Sequence, residues 1–211
     1  MELGARMISG PDGQRWRFDP GSLSLELLLT GGPAEFQRPE TLRTPMDLVG
    51  WLAESRLARP APIYPQQVQV RPSDLRRIKE LRDAVWRVVV ATARGDDPET
   101  GQLELINGCA QDAVRPELEL TTAVLRWAPM TGAQVLGTIA RDVIELVGSG
   151  NGRLRECQGE NCSLLFVDTS RPGNRRWCSM RRCGNRQKVR AFRRRAASQS
   201  RAGGPAGDSE T

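Results

Sequence analysis

The sequence predicts an α+β protein: a mainly helical N-terminal domain with a small β-hairpin or sheet, followed by a treble-clef-like finger built round four cysteines. Three observations carry that reading. Cys157-x4-Cys162 and Cys178-x4-Cys183 are two identically spaced pairs, separated by fifteen residues. Upstream of them apolar residues recur at helical spacing, most clearly at Leu75, Ile78, Leu81, Val85, Val88 and Val89. Charge divides at the same place: residues 151–201 carry fourteen basic and three acidic side chains, whereas residues 1–150 carry seventeen basic and twenty acidic ones.

Taken in order, residues 1–14 are expected to be a flexible N-terminus. Arg15-Trp16-Arg17-Phe18 alternates in character, Asp19-Pro20-Gly21 makes a turn, and Ser22 to Leu27 alternates again, which predicts a hairpin. Thr44-Pro45 has the hydroxyl cap and first-position proline of a helix start, with Leu48, Trp51 and Leu52 on a helix that fades near Leu57. Arg59 to Pro72 holds four prolines and reads as an extended connector. Ser73 is placed to cap the longest helix, Asp74 to Arg94, which Gly95 ends. Leu103, Leu105, Ile106 and Cys109 predict a short helix with Cys109 as a buried core thiol. Leu118 to Trp127 predicts one strand or two short ones, and Gly132 to Val147 a further helix. The domain boundaries follow: 15–148 for the N-terminal domain, 149–152 for a glycine-rich hinge, 153–195 for the finger with a basic helix, and 196–211 for a disordered tail.

The cysteine pairs point to a metal. No apolar run approaches the roughly 18–20 residues of a membrane span, and Met1 to Gly10 has neither the basic start nor the apolar stretch of a secretory signal. A cytoplasmic chain keeps its thiols reduced, where clustered cysteines serve as metal ligands; a disulfide framework and four free thiols are the competing readings. The chain has no histidine, so a zinc site must be built from thiolates and carboxylates. Cys157, Cys162, Cys178 and Cys183 are the candidate ligands of one structural zinc. Gly159 and Asn161 suit the tight first loop, Leu154-Arg155-Glu156 and Leu164 to Val167 read as flanking strands, and a helix should start near Cys178 or Cys183.

The same segment carries the charge. Beyond Cys183 arginine and lysine crowd a stretch without an acid, and Arg186, Arg190 and Arg193 or Arg194 share one helix face that suits a phosphate backbone. We therefore take Arg175, Arg176, Arg181, Arg182, Asn185, Arg186, Lys188, Arg190, Arg193 and Arg194 as candidate nucleic-acid contacts. Asn185 is placed either to read adenine in a major groove or to cap the zinc loop. Catalysis is not expected: no P-loop, nucleotide-binding glycine motif or nucleophile elbow appears, and four thiolates close the coordination shell of zinc.

Cys178-Ser179-Met180-Arg181-Arg182-Cys183-Gly184-Asn185-Arg186-Gln187-Lys188 resembles the signature of the CGNR zinc-finger family. Phe166-x-Asp168-Thr169-Ser170 and Arg176-Trp177-Cys178 resemble the segments that precede it, and the upstream order of elements resembles the ABATE domain that accompanies this finger. The resemblance spans residues 15–195. It implies a bacterial transcriptional regulator, often stress-related, with zinc on Cys157, Cys162, Cys178 and Cys183. One departure is visible: where the family carries an aspartate and an asparagine on an early strand, Leu25 to Thr30 offers Glu26 and no asparagine.

The expectation is a cytoplasmic, nucleoid-associated, zinc-dependent DNA-binding transcriptional regulator acting on duplex DNA, as a homodimer or with a partner from the transcription machinery. A protein-interaction finger and an RNA-binding protein are the alternatives.

Overall fold

The longest apolar stripe organises the N-terminal body. The computed structural model describes residues 3–202 apart from 11, 12, 37 and 151. Within it α3 (Pro72–Arg94) runs for 23 residues and buries Leu75, Ile78, Leu81, Val85, Val88 and Val89. Its cap lies two residues before the expected Ser73: Pro72 takes the first helical position and the Asp74 carboxylate accepts the Arg71 N–H at 2.8 Å. Gly95 ends it in the left-handed conformation, φ 83°. Round α3 pack α1 (Leu23–Leu28), α2 (Pro45–Glu54), α4 (Thr100–Cys109) and α5 (Gly132–Gly148). Cys109 is half-buried against this core rather than enclosed in it.

The β-structure is confined to two-stranded pairs. β1 (Arg6–Ser9) pairs antiparallel with β2 (Arg15–Phe18). β3 (Val68–Gln69), inside the connector expected to be extended, pairs parallel with β6 (Met130–Thr131). β4 (Pro116–Leu118) and β5 (Leu125–Trp127) are the two short strands expected between α4 and α5, paired with each other. In the finger β7 (Leu154–Glu156) pairs antiparallel with β8 (Leu165–Val167), and α6 (Asn185–Ala202) follows.

Three expectations are corrected. The partner of β2 is β1, so residues 6–9 are a strand and not part of a flexible terminus. The segment after β2 is helix α1: its period-two alternation has no wet face, because all six residues are buried. Ser24 donates its Oγ–H to Asp142 at 2.6 Å, and the backbone N–H groups of Leu23 and Ser24 are taken by the same carboxylate. Third, α6 continues through residues 196–202, where a disordered tail was expected. Alanine favours the helix, and serine and glutamine do not stop one already begun at Asn185. Residues 203–211 lie outside the described residues. Among the described residues no helix is long and apolar enough to cross a membrane.

The two halves exchange core residues. Leu154 and Leu165 of the finger belong to the N-terminal core, while Ile8 and Phe18 of the β1–β2 hairpin belong to the finger's core with Leu164, Phe166 and three of the cysteines. Val167 N–H donates to the Pro20 carbonyl at 2.8 Å, and Arg94 at the end of α3 holds Glu156 through two bonds of 2.8 and 3.1 Å. The glycine-rich link at 149–152 therefore does not separate two independently seated bodies.

Glu26 is the acid most deeply enclosed in the N-terminal body. Its side chain is fully buried, and Arg56 Nε donates to it at 2.5 Å. Burial pushes its carboxyl up to about 7, against the opposing pull of Arg56 and Arg6. The folded-state value lies above that of the unfolded chain, so the proton stabilises the fold fully below pH 4.5 and that contribution is lost as pH rises to about 7. Relative to Glu26→Gln, the parent should lose roughly 3 kcal/mol of unfolding free energy across that window. Urea unfolding at a series of pH values measures it, and a parent-minus-variant difference that stays flat contradicts the assignment.

Candidate metal centre and the basic groove beside it

The finger folds its cysteines together from two directions. β7 delivers Cys157, whose N–H bonds back to the Leu164 carbonyl at 2.9 Å, and the loop turns over so that Cys162 N–H reaches the Gly159 carbonyl at 3.0 Å. Asn161 takes φ 57° within that turn. Gly159 is required by space, since a Cβ there would lie 2.8 Å from Cys183 Sγ. After β8 the chain loops round Asp168, whose carboxylate accepts the Ser170 N–H at 2.9 Å and the Arg175 N–H at 2.8 Å. It then brings back Cys178 and, through a π-helical turn (Met180–Gly184), Cys183. Knuckle, antiparallel pair and ligand-bearing helix start follow in treble-clef-like order.

The four sulfurs fit a tetrahedral metal. All lie within 4.8 Å of one another, with 3.8 Å between Cys162 and Cys178 and 3.5 Å between Cys178 and Cys183. Zinc–thiolate bonds of about 2.3 Å in a tetrahedron require sulfurs about 3.8 Å apart. None of the five cysteines is in a disulfide. Cys178 N–H and Gly159 N–H point at Cys157 Sγ, at 3.3 and 3.4 Å, the support a thiolate ligand needs. The neighbouring thiols of Cys162 and Cys178, with these amides, hold the Cys157 thiol down to about 2. Hydrogen bonding to Cys157 pushes Cys162 up to about 12 and Cys178 upward as well, and burial raises Cys183. Zinc on binding would displace the thiol protons.

One cation that answers the charge of the centre comes from the other half of the molecule. Zinc with four thiolates carries a net −2. Burial pulls the guanidinium of Arg38, half-buried in the loop before α2, below its ordinary value, Cys162 and Cys178 act on it in the opposite sense, and its Nε has no hydrogen-bond partner among the described residues. The sequence offered no signal for it, because the relation is set by the docking of the two halves.

Between the zinc knuckle and the start of α6 lies a groove of about 720 Å³. Arg181, Arg186, Arg190 and Arg193 line it with Asn161 and Asn185. Arg190 pairs with Glu160 across it. Arg181, Asn185, Arg186, Lys188, Arg190, Arg193 and Arg194 are exposed, and so is Arg176, which donates to Gln158 Oε1 at 2.6 Å. Two expected contacts are turned inward instead. Arg175 donates to the carbonyls of Trp177 and Cys178 at 2.9 and 2.5 Å, with its guanidinium 4.2 Å from the Phe166 ring centre. Arg182, expected to be exposed between the ligands, is buried and stacked on Trp16. Both are drawn in because this small core supplies aromatic faces and bare carbonyls beside the metal loop.

Fold and site together define a two-part zinc-finger protein: a helical N-terminal body carrying a closed, four-cysteine centre for one structural zinc. Residues 21–150 match the family model ABATE, described as "Putative stress-induced transcription regulator", and residues 153–196 match the CGNR zinc finger. The chain belongs to the ABATE family, with a CGNR finger as its C-terminal part. Neither is an enzyme family. A comparison with curated proteins returns no match.

The centre makes a direct prediction. The parent should retain one zinc per chain after exhaustive dialysis, Cys109→Ser should retain the same, and Cys178→Ser should fall well below one. Metal analysis beside thiol titration decides it, and a Cys178→Ser protein that keeps a full zinc contradicts the four-thiolate assignment.

Proposed function

We propose that the chain is a zinc-dependent DNA-binding transcriptional regulator of the cytoplasm, in which structural zinc on Cys157, Cys162, Cys178 and Cys183 presents an arginine-rich helix to the DNA backbone. The observation that carries this reading is the groove beside the zinc knuckle, where Arg181, Arg186, Arg190 and Arg193 gather on one side of the metal centre. α6 itself holds no acid, and the one acid lining the groove, Glu160, is paired with Arg190, which a phosphate would take over from it.

In this reading the residues divide by task. Arg186, Arg190 and Arg193 follow a phosphate strand, Arg181 and Arg176 extend the basic surface towards the knuckle, and Lys188 and Arg194 add charge on the flanks. Asn185, exposed at the first position of α6, is the residue set to reach a base edge. Zinc supplies no bond-making chemistry here; it fixes the loop from which the helix departs. A single finger of this size makes few base contacts, so a specific site calls for a homodimer or a partner protein.

One observation favours a second reading. Val189 and Phe192 stand 49% and 72% exposed on α6, at a spacing that places them together on one face. An apolar strip flanked by arginine suits an acidic protein partner from the transcription machinery.

A salt titration of binding to random duplex DNA separates the two. The comparison is the parent against a variant with Arg186, Lys188, Arg190, Arg193 and Arg194 replaced by alanine, both with measured zinc. The parent should lose affinity steeply with salt, and the variant's slope should be shallower by about three to four units. Equal binding by both, or none by either with zinc in place, overturns the DNA reading.

A further inference from the structure

The β1–β2 hairpin lies ahead of both matched segments, which begin at residues 21 and 153. Its own residues nevertheless reach the finger. Along β2, Arg15 and Arg17 are exposed, whereas Trp16 and Phe18 turn into the cluster that holds the cysteines. Trp16 meets Arg182, whose guanidinium carbon stands 3.8 Å from the ring centre. Arg182 Nη1 also donates to the Gln14 carbonyl at 3.3 Å, and the residue is only 8% exposed. The fit is close on the third side too: a Cβ at Gly10 would lie 1.6 Å from Arg182 Nη2, so the guanidinium occupies the space that a glycine leaves open.

The place of Arg182 in the chain gives this clasp its consequence. It stands between the ligands Cys178 and Cys183, inside the π-helical turn Met180–Gly184. That turn runs without a break into α6 at Asn185. A π turn widens the helix by one residue and lacks the regular ladder that would fix its direction. A bound metal would hold the turn at Cys183. Aromatic stacking from the hairpin meets it one residue earlier, at Arg182. The hairpin also takes part on its own account: Gln14 is exposed and lines the same basic groove as those arginines.

We propose that the N-terminal hairpin is a second working part of the nucleic-acid interface, with Trp16 positioning the arginine helix through Arg182 and Gln14 adding a side-chain amide to the groove. This rests on the nucleic-acid reading above. Trp16 is a positioning residue, and Gln14 is a contact residue for the sugar–phosphate backbone or a base edge of duplex DNA.

The test uses the full chain with zinc bound and three variants, Trp16→Ala, Trp16→Phe and Gln14→Ala. Each is measured for zinc content, for amide hydrogen exchange over residues 179–190, and for affinity to a random duplex at several salt concentrations. Every variant should retain one zinc. Trp16→Ala should exchange faster across 180–186 and bind duplex about tenfold more weakly, because a helix start no longer held in place must be ordered on binding. Trp16→Phe, which keeps a ring under the guanidinium, should recover most of both effects. Gln14→Ala should bind about threefold more weakly with unchanged exchange, the scale of one exposed hydrogen bond.

A parent that binds duplex while Trp16→Ala and Gln14→Ala bind it equally well overturns the inference, whatever the exchange shows. Weaker binding by Trp16→Ala that Trp16→Phe does not recover overturns the positioning role of the ring. Should Trp16→Ala fail to fold, Gln14→Ala decides alone, and unchanged affinity in it overturns the inference. A parent that ignores duplex DNA is a different failure: it removes the nucleic-acid reading itself, and with it this extension of that reading.

Discussion

Four thiolates on one zinc are the constraint on which the rest of the finger depends. Between Cys157 and Cys183 the chain buries, besides the cysteines, only Leu164, Leu165 and Phe166 among its apolar side chains. So short a segment does not close on hydrophobic burial alone, and metal binding supplies the missing folding energy. The other features of the finger follow from bringing the sulfurs together. Gly159 gives way to Cys183, Asn161 takes a left-handed backbone to finish the knuckle, and amides of Gly159 and Cys178 turn towards Cys157.

A closed thiolate shell also brings charge inside the protein, and the molecule answers with cations from both halves. Arg38 arrives from the loop before α2, and Arg175 and Arg182 turn in from the finger itself, each over an aromatic ring or against carbonyls. Such residues read as surface charges in a sequence. Arg182 joins the finger to the hairpin through Trp16 and the Gln14 carbonyl, and the exchange of Leu154 and Leu165 for Ile8 and Phe18 between the two cores does the rest. The cysteines and the N-terminal hairpin therefore share one core.

Features set by local chemistry were legible in the sequence. The cysteine spacing, the apolar stripes of α3 and α5 and the left-handed Gly95 each announce themselves within a few residues. Features set by long-range partners were not. The alternation of Leu23 to Leu28 imitates a strand because Ser24 and Glu26 are polar. Both are buried, one on Asp142 and the other on Arg56, and these partners lie 118 and 30 residues away. β1 was missed because four residues of mixed character reveal nothing until β2 is beside them. Among the candidate nucleic-acid contacts, helical spacing separated Arg186, Arg190 and Arg193 as one face, but nothing local distinguished inward Arg182 from outward Arg181.

The central claim is that the metal centre holds knuckle, hairpin and helix start as one unit docked on the helical body. Amide hydrogen exchange across the whole chain, before and after a chelator removes zinc, tests it most directly. Residues 154–190 and the hairpin at 6–18 should lose protection together, while the middle of α3 and of α5 stays protected. Loss confined to the finger, with β1 and β2 as protected as before, would contradict the account. So would a finger whose protection does not depend on zinc.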